Sequence, residues 1–189
     1  MEGAVLPTPS QTVGPFFNIG LPGVDAELVS RDAEGAIRVG GVVYDGEGGV
    51  VPDALLEIWQ ANRSGRYDHP DDPRDDLPLD EGFRGFGRAE TGKDGEYGFV
   101  TVKPGPVPAP GGARQAPHIL VSVFARGLLK HVSTRIYFED EAEANEADPV
   151  LSSVEADRRE TLVATADGAG GYRFDIHLQN PVETVFFDI

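Results

Sequence analysis

The sequence predicts an all-β fold: an antiparallel β-sandwich of about eight strands, with an extended N-terminal arm and one late helix. Three observations predict it. Glycine (24) and proline (15) make up about a fifth of the 189 residues, which favours turns over long helices. Short apolar or alternating runs follow one another between those turn residues. Helical signals are confined to the last quarter of the chain, the order expected of a sandwich with a late embellishment. The length suits one domain, and 40% hydrophobic with 25% charged residues is an ordinary globular composition.

Residues 1–36 lack clear periodicity and carry Pro7, Pro9, Pro15 and Pro22, so they read as an arm that must lie on another surface. Residues 37–189 read as the sandwich domain. VGGVVYD (39–45) ends in the turn signal Asp45-Gly46 and Gly48-Gly49. ALLEIWQA (54–61) is an apolar strand, and the acidic, proline-broken stretch 65–82 is a long loop. GFGRAET (85–91), Lys93-Asp94-Gly95 and YGFVTVK (97–103) read as a β-hairpin. PGPVPAPGG (104–112) is a stiff extended loop, because each proline restricts itself and its predecessor. HILVSVFAR (118–126) and VSTRIYFED (132–140) are two strands joined across Gly127. EAEANEAD (141–148) is a surface turn of helix ending before Pro149. Ser152-Ser153-Val154-Glu155 has the form of a capping box that opens a helix through about Ala164. After a flexible turn over Asp167–Gly171, YRFDIHLQ (172–179) alternates with Tyr172, Phe174, Ile176 and Leu178 on one face. ETVFFDI is the last strand.

Charge and composition narrow the function. A net charge of −16 repels nucleic acid and anionic membranes. No cysteine is present, which excludes disulfides, thiolate metal sites and cysteine nucleophiles. No apolar run approaches the ~20 residues of a membrane span. The N-terminus lacks the basic start and apolar core of a secretory signal, so a cytoplasmic location is expected.

Among residues that could carry chemistry, His69, His118, His131 and His177 share no i, i+2 or i, i+4 spacing that would set two on one metal. A nucleophile-elbow motif and a phosphate-cradling loop are absent. The acidic run Asp68–Glu81 lacks the alternation of a calcium loop and reads as a solvated loop. Trp59 and the phenylalanines are expected in the core. Arg135 stands apart: a mid-strand arginine, on the side of Ser133 and Tyr137, either snorkels, pairs with a carboxylate or receives an anionic ligand.

Several long segments, in order, resemble the intradiol ring-cleavage dioxygenases. They are TPSQTVGPFF (8–17), LLEIWQANRSGRYDH (55–69), FGRAETGKDGEYGFVTVKPGPVP (86–108), APHILVSVFARGL (116–128), TRIYFEDEAEAN (134–145), PVL (149–151), RRETLVA (158–164) and YRFDIHLQ (172–179). The resemblance covers nearly the whole chain and is closest to the non-metal alpha subunit of the heteromeric members.

The resemblance implies a particular role. Catalytic chains of the family hold ferric iron with two tyrosinates and two histidines. The first tyrosine matches Tyr67, but Val107 stands where the second belongs. The histidine pair reads here as His118-Ile119-Leu120, so Leu120 replaces the second imidazole. Ferric iron is a hard cation that needs anionic oxygen donors, and Val107 and Leu120 offer none. Nor does the arginine that precedes the histidine pair recur, because Gln115 occupies that offset, one residue after Arg114. Tyr67 and His118 are therefore expected to be relics of a degenerate site, with no cofactor in this chain and Fe(III) held by a homologous beta subunit as its partner. The alpha arm and one strand arginine of the family wall the substrate pocket; by motif these are Thr12, Gly14, Pro15 and Arg135. The implied substrate is a carboxylated catechol such as 3,4-dihydroxybenzoate, opened by dioxygen between its hydroxyl-bearing carbons to 3-carboxy-cis,cis-muconate. A guanidinium suits its carboxylate. Two other readings stay open: an iron enzyme in its own right, recruiting His69 or His131, and a plain β-sandwich binding module.

Overall fold

The computed structural model describes residues 11–14, 17, 20, 21 and 25–188. In chain order the elements are β1 (Ala36–Tyr44), β2 (Leu55–Trp59), β3 (Phe86–Glu90), β4 (Glu96–Val102), β5 (Val107–Pro108), β6 (Arg114–Gln115), β7 (Ile119–Phe124), β8 (Val132–Phe138), α1 (Ala142–Ala147), β9 (Val163–Ala166), β10 (Tyr172–Arg173) and β11 (Ile176–His177).

The expected sandwich forms. Strands β3-β2-β7-β8 make an antiparallel front sheet. The back sheet runs β4-β1, then β10 and β11, with β9 beyond β10. Alternation dictates which residues face inward. On β7, Ile119, Val121 and Val123 are fully buried, while Leu120, Ser122 and Phe124 between them are only partly so. Leu56 and Ile58 of β2, Phe99 of β4, Val39 and Val43 of β1 and Ile136 of β8 fill the same core.

Pairing is chiefly antiparallel, with three short parallel pairings: β8 with β9, and β1 with β10 and β11. The β8–β9 link spans the α1 region, long enough for the crossover a parallel pair needs. That link joins the two sheets along one edge. The alternating run 172–179 keeps its face, with Phe174 and Ile176 buried, but breaks into β10 and β11. Expected as the last strand, ETVFFDI contributes only an isolated bridge, Phe187 with Ser133.

Two local expectations fail. Segments 85–91 and 97–103 are not a hairpin: β3 pairs with β2, and β4 pairs with β1. The turn does close, with Gly92 donating to the Glu96 carbonyl, but the chain crosses there from one sheet to the other. Ala89 and Phe99 then enter the core from opposite sides. The helix expected from Ser152 to Ala164 is two single 3₁₀ turns, Leu151–Ser153 and Arg159–Leu162, followed by β9. The carbonyls of Ser152 and Val154, which a helix would use internally, accept instead from the Arg159 guanidinium. The one α-helix among the described residues is the six-residue α1, where the acidic segment predicted a turn of helix.

Within the expected arm, residues 25–29 lie between the outer strands of the two sheets. Leu28 N–H donates to the Val100 carbonyl and Val100 N–H to Ala26, while Arg84 and Arg88 N–H donate to Leu28 and Asp25. Leu28 is 1% exposed, packed over Gly87, where a Cβ would meet its side chain.

Candidate functional site

The outward face of the front sheet carries the site. Strand register sets Phe86, Trp59, Leu120 and Arg135 in one row across β3, β2, β7 and β8. Trp59 is thus not a core residue: it follows Ile58 and shares the face of Glu57, away from the aliphatic interior.

Tyr67 reaches this row through two glycines. Gly65, at φ +80°, and Gly105 pack backbone to backbone: a Cβ at Gly65 would strike the Pro106 carbonyl, and one at Gly105 the Arg63 carbonyl. The contact brings the Tyr67 segment against the proline-rich segment that carries Val107. Asn62, fully buried, is the hub. Its Oδ1 accepts from the Ser64 and Arg66 N–H groups, its Nδ2 donates to the Pro78 carbonyl, and its own carbonyl accepts from Gly65 and Gly105. Tyr67 then stacks on Trp59, rings parallel within 5° and centroids 5.7 Å apart. Its N–H donates to Asp72, which is held in turn by Arg74. Those hydrogen bonds, with the Arg74 side chain foremost, hold the Asp72 carboxyl well below the ordinary range.

Val107 pairs with Gln115 across β5 and β6, and Gln115 Oε1 accepts from Arg135 Nη1 at 2.6 Å. Arg135 is also directly cross-strand from Leu120. Arg135 therefore neighbours both positions, Leu120 by strand register and Val107 through Gln115. Tyr137, two residues along β8, donates its hydroxyl to Asp148 Oδ1 at 3.2 Å and lies 3.4 Å from Arg135 Nη1. Asp148, fully buried, also accepts from the N–H groups of Ala116, Val150 and Leu151, which fastens the segment leading to His118.

His118 Nδ1 lies 2.8 Å from the Ala116 carbonyl. Burial, and after it the Arg135 guanidinium, push its pKa down to about 4. Burial raises the Tyr67 phenol above its ordinary value, with Arg135 pulling the other way. Both groups are neutral at pH 7. One tyrosine, one histidine, two aliphatic side chains without donor atoms and a neighbouring guanidinium do not fit a ferric ion, which requires anionic oxygens and repels a fixed cation. Beside them lies a cleft of about 500 Å³ lined by Trp59, Tyr67, His69, Val107, Pro108 and Gln115, among others.

The structure brings Tyr67, Val107, His118, Leu120 and Arg135 to one region. It sets the arm elsewhere: Thr12 Oγ1 accepts from Gly127 N–H at 2.8 Å, at the tip of the β7–β8 hairpin. Gly14 accepts from Phe17 N–H, and Phe17 packs on Phe124 with centroids 5.4 Å apart. Pro15 lies outside the described residues. His69 sits edge-on to Trp59, His131 packs on Phe124 and His177 stacks on Tyr44, so the other histidines are scattered. Sequence reasoning missed Asn62 and Asp148. The Asn62-x-Ser64-Gly65 turn composition could have pointed to the first, but nothing local marks Asp148 as a partner of Ala116.

A dioxygenase family model matches residues 24–180. The chain belongs to the intradiol dioxygenase family. Within this family it is 47% identical to the protocatechuate 3,4-dioxygenase alpha chain of Burkholderia cepacia, covering 96% of this chain and 97% of that one. It is also 47% identical to the alpha chain of Pseudomonas putida, covering 96% of each. Identity to the protocatechuate 3,4-dioxygenase beta chain of Burkholderia cepacia is 37%, covering 76% of this chain and 64% of that one. Among solved intradiol-like structures, the dioxygenase domain of a dioxygenase–carbohydrate-binding fusion from Streptomyces sp. SirexAA-E superposes with a TM-score of 0.58 at 27% identity, covering 92% of this chain and 99% of that domain. No helix among the described residues is long and apolar enough to cross a membrane.

Proposed function

We propose that this chain is the non-catalytic alpha subunit of a heteromeric protocatechuate 3,4-dioxygenase. Its partner is a homologous beta chain that holds the ferric ion, and the assembly works in the cytoplasm. The reading rests on one observation: Val107 and Leu120, which offer no metal donor, stand at the two ligand positions, Leu120 cross-strand from Arg135 and Val107 paired with the Gln115 that Arg135 binds. The likeness to alpha chains over almost the full length of both proteins supports it.

In this reading the assembly opens 3,4-dihydroxybenzoate between its hydroxyl-bearing carbons with dioxygen, giving 3-carboxy-cis,cis-muconate. This chain breaks no bond. Thr12, Gly14 and Pro15 line the partner's pocket through the arm, whose anchor on Gly127 and Phe124 sets its starting point. Arg135, expected beside them, stands in mid-strand, where it presents a guanidinium to the carboxylate of an aromatic acid.

Iron content and the visible spectrum test this directly, for the chain expressed alone and with a beta chain. The expected result is a colourless, iron-free chain alone. Together, the two chains should show a tyrosinate-to-iron absorption band and ring-cleaving activity. Stoichiometric iron and colour in the isolated chain would overturn the proposal and favour an iron enzyme in its own right.

A further inference from the structure

We infer that Gln115 is a positioning residue for Arg135: with help from Tyr137 it holds one nitrogen of the guanidinium and leaves the opposite edge free, which sets the preference of the assembly for a carboxylated ring. The inference rests on the role proposed above for Arg135 and goes beyond it by assigning the side chains that aim the guanidinium.

The hydrogen-bond pattern carries the argument. Both side-chain bonds of the guanidinium converge on Nη1, which donates to Gln115 Oε1 at 2.6 Å and to the Tyr137 hydroxyl oxygen at 3.4 Å. Each acceptor is itself fixed. Gln115 Nε2 donates to the Pro108 carbonyl at 3.1 Å, which turns Oε1 toward the arginine. The one hydroxyl hydrogen of Tyr137 goes to Asp148 Oδ1, so its oxygen is left to accept. The Phe187 ring lies 5.9 Å from the guanidinium carbon, within cation–π range. Nε and Nη2 of Arg135 bond to no group among the described residues, and neither is a buried atom without a partner, so both are open to solvent. Those two nitrogens form the side-on edge of the guanidinium, which offers parallel N–H groups to a single carboxylate.

The hold is also neutral. The chain has 32 acidic residues against 16 basic ones, yet Arg135 makes no ion pair among the described residues. An acidic side chain at position 115 would cancel the charge, and an apolar one would release it. A released guanidinium would have the neighbouring cleft to turn to, where Asp71 and Asp72 line the wall; Gln115 stands in that wall and Arg135 does not. An amide grips the arginine without neutralising it. The fold alone does not call for an amide here, because Gln115 is only half-buried and pairs with Val107 through its backbone.

The test is titration calorimetry on the assembled alpha–beta complex without dioxygen, so that ligand binds and does not turn over. The ligands are 3,4-dihydroxybenzoate and catechol, which lacks the carboxylate. Gln115→Leu should weaken 3,4-dihydroxybenzoate roughly three- to tenfold, the usual weight of one lost polar contact, and change catechol less than about twofold. Tyr137→Phe, which removes the longer bond, should act in the same direction and by less. With Arg135→Ala already in place, neither substitution should have a further effect, since no guanidinium is left to hold. Equal weakening of both ligands, no weakening in Gln115→Leu, or an undiminished effect on top of Arg135→Ala would each overturn the inference. Arg135→Ala by itself separates this inference from the reading beneath it. If that variant spares 3,4-dihydroxybenzoate, the role of Arg135 falls and this inference with it; if it weakens that ligand while Gln115→Leu does not, this inference falls alone.

Discussion

The front sheet has two faces that answer to different demands. Inward, β2, β7 and β8 present Leu56, Ile58, Ile119, Val121, Val123 and Ile136, all at most 1% exposed. Outward, the same strands present Trp59, Leu120 and Arg135, partly exposed and joined by loop residues from distant segments. The inner face needs volume and apolarity, which many side chains supply. The outer face holds a specific arrangement that depends on a guanidinium, an amide and two glycine contacts. A family fold can thus keep its inner face while the residues of its outer face change.

Truncation on each face tests that contrast most strongly. Leu56→Ala should cost about 2–5 kcal/mol in denaturant unfolding, the usual range for a buried leucine. Leu120→Ala should cost less than half as much, since its methyls already face the cleft side. Equal losses would mean that the outer face is as much a core as the inner one.

The next largest effect is that of pH. His118 is buried and its pKa is depressed to about 4, against 6.5 for a free imidazole. Between these values the unfolded chain binds a proton that the folded chain refuses. Stability therefore falls as pH drops from about 6.5 toward 4, by up to about 1.4 kcal/mol per pH unit. Unfolding followed across that window should show a slope that His118→Gln flattens. An unchanged slope in the variant would place the titration elsewhere.

The smallest effect on this chain's stability is expected from its arm. Removing residues 1–16 should leave unfolding of the chain nearly unchanged and the complex's iron in place, while ring-cleaving activity falls severalfold. Full activity after truncation would detach Thr12 and Gly14 from the pocket.

What was legible in the sequence was what depends on near neighbours. The alternation of β7 and the glycine turn at Asp45–Gly49 are short-range patterns, and both appear as expected. The motif positions Tyr67, Val107, His118 and Leu120 could be named in advance, because each is set within a few residues of its own segment. Partner choice was not legible. The Thr91–Gly95 turn has hairpin composition, yet which sheet β4 joins is decided by core packing across the molecule. The Ser152 capping motif lost its helix to an arginine seven residues on. Trp59 was misplaced although its parity with Glu57 marked it as outward. The Gln115–Arg135 contact and the reach of Asp148 to Ala116 span 20 and 32 residues, beyond any local signal.

Residues 25–29 have a consequence for how the molecule comes to be sealed. The wrapped sheet ends in two strands, β3 and β4, whose unpaired backbone groups would invite pairing with another chain. The short segment before β1 bonds to β4 and to the β3 region at once, so one strap closes both ends. It leaves the ribosome before either strand, but its acceptor on β4, Val100, follows more than seventy residues later. Until then the strap is made but has nothing yet to fasten to.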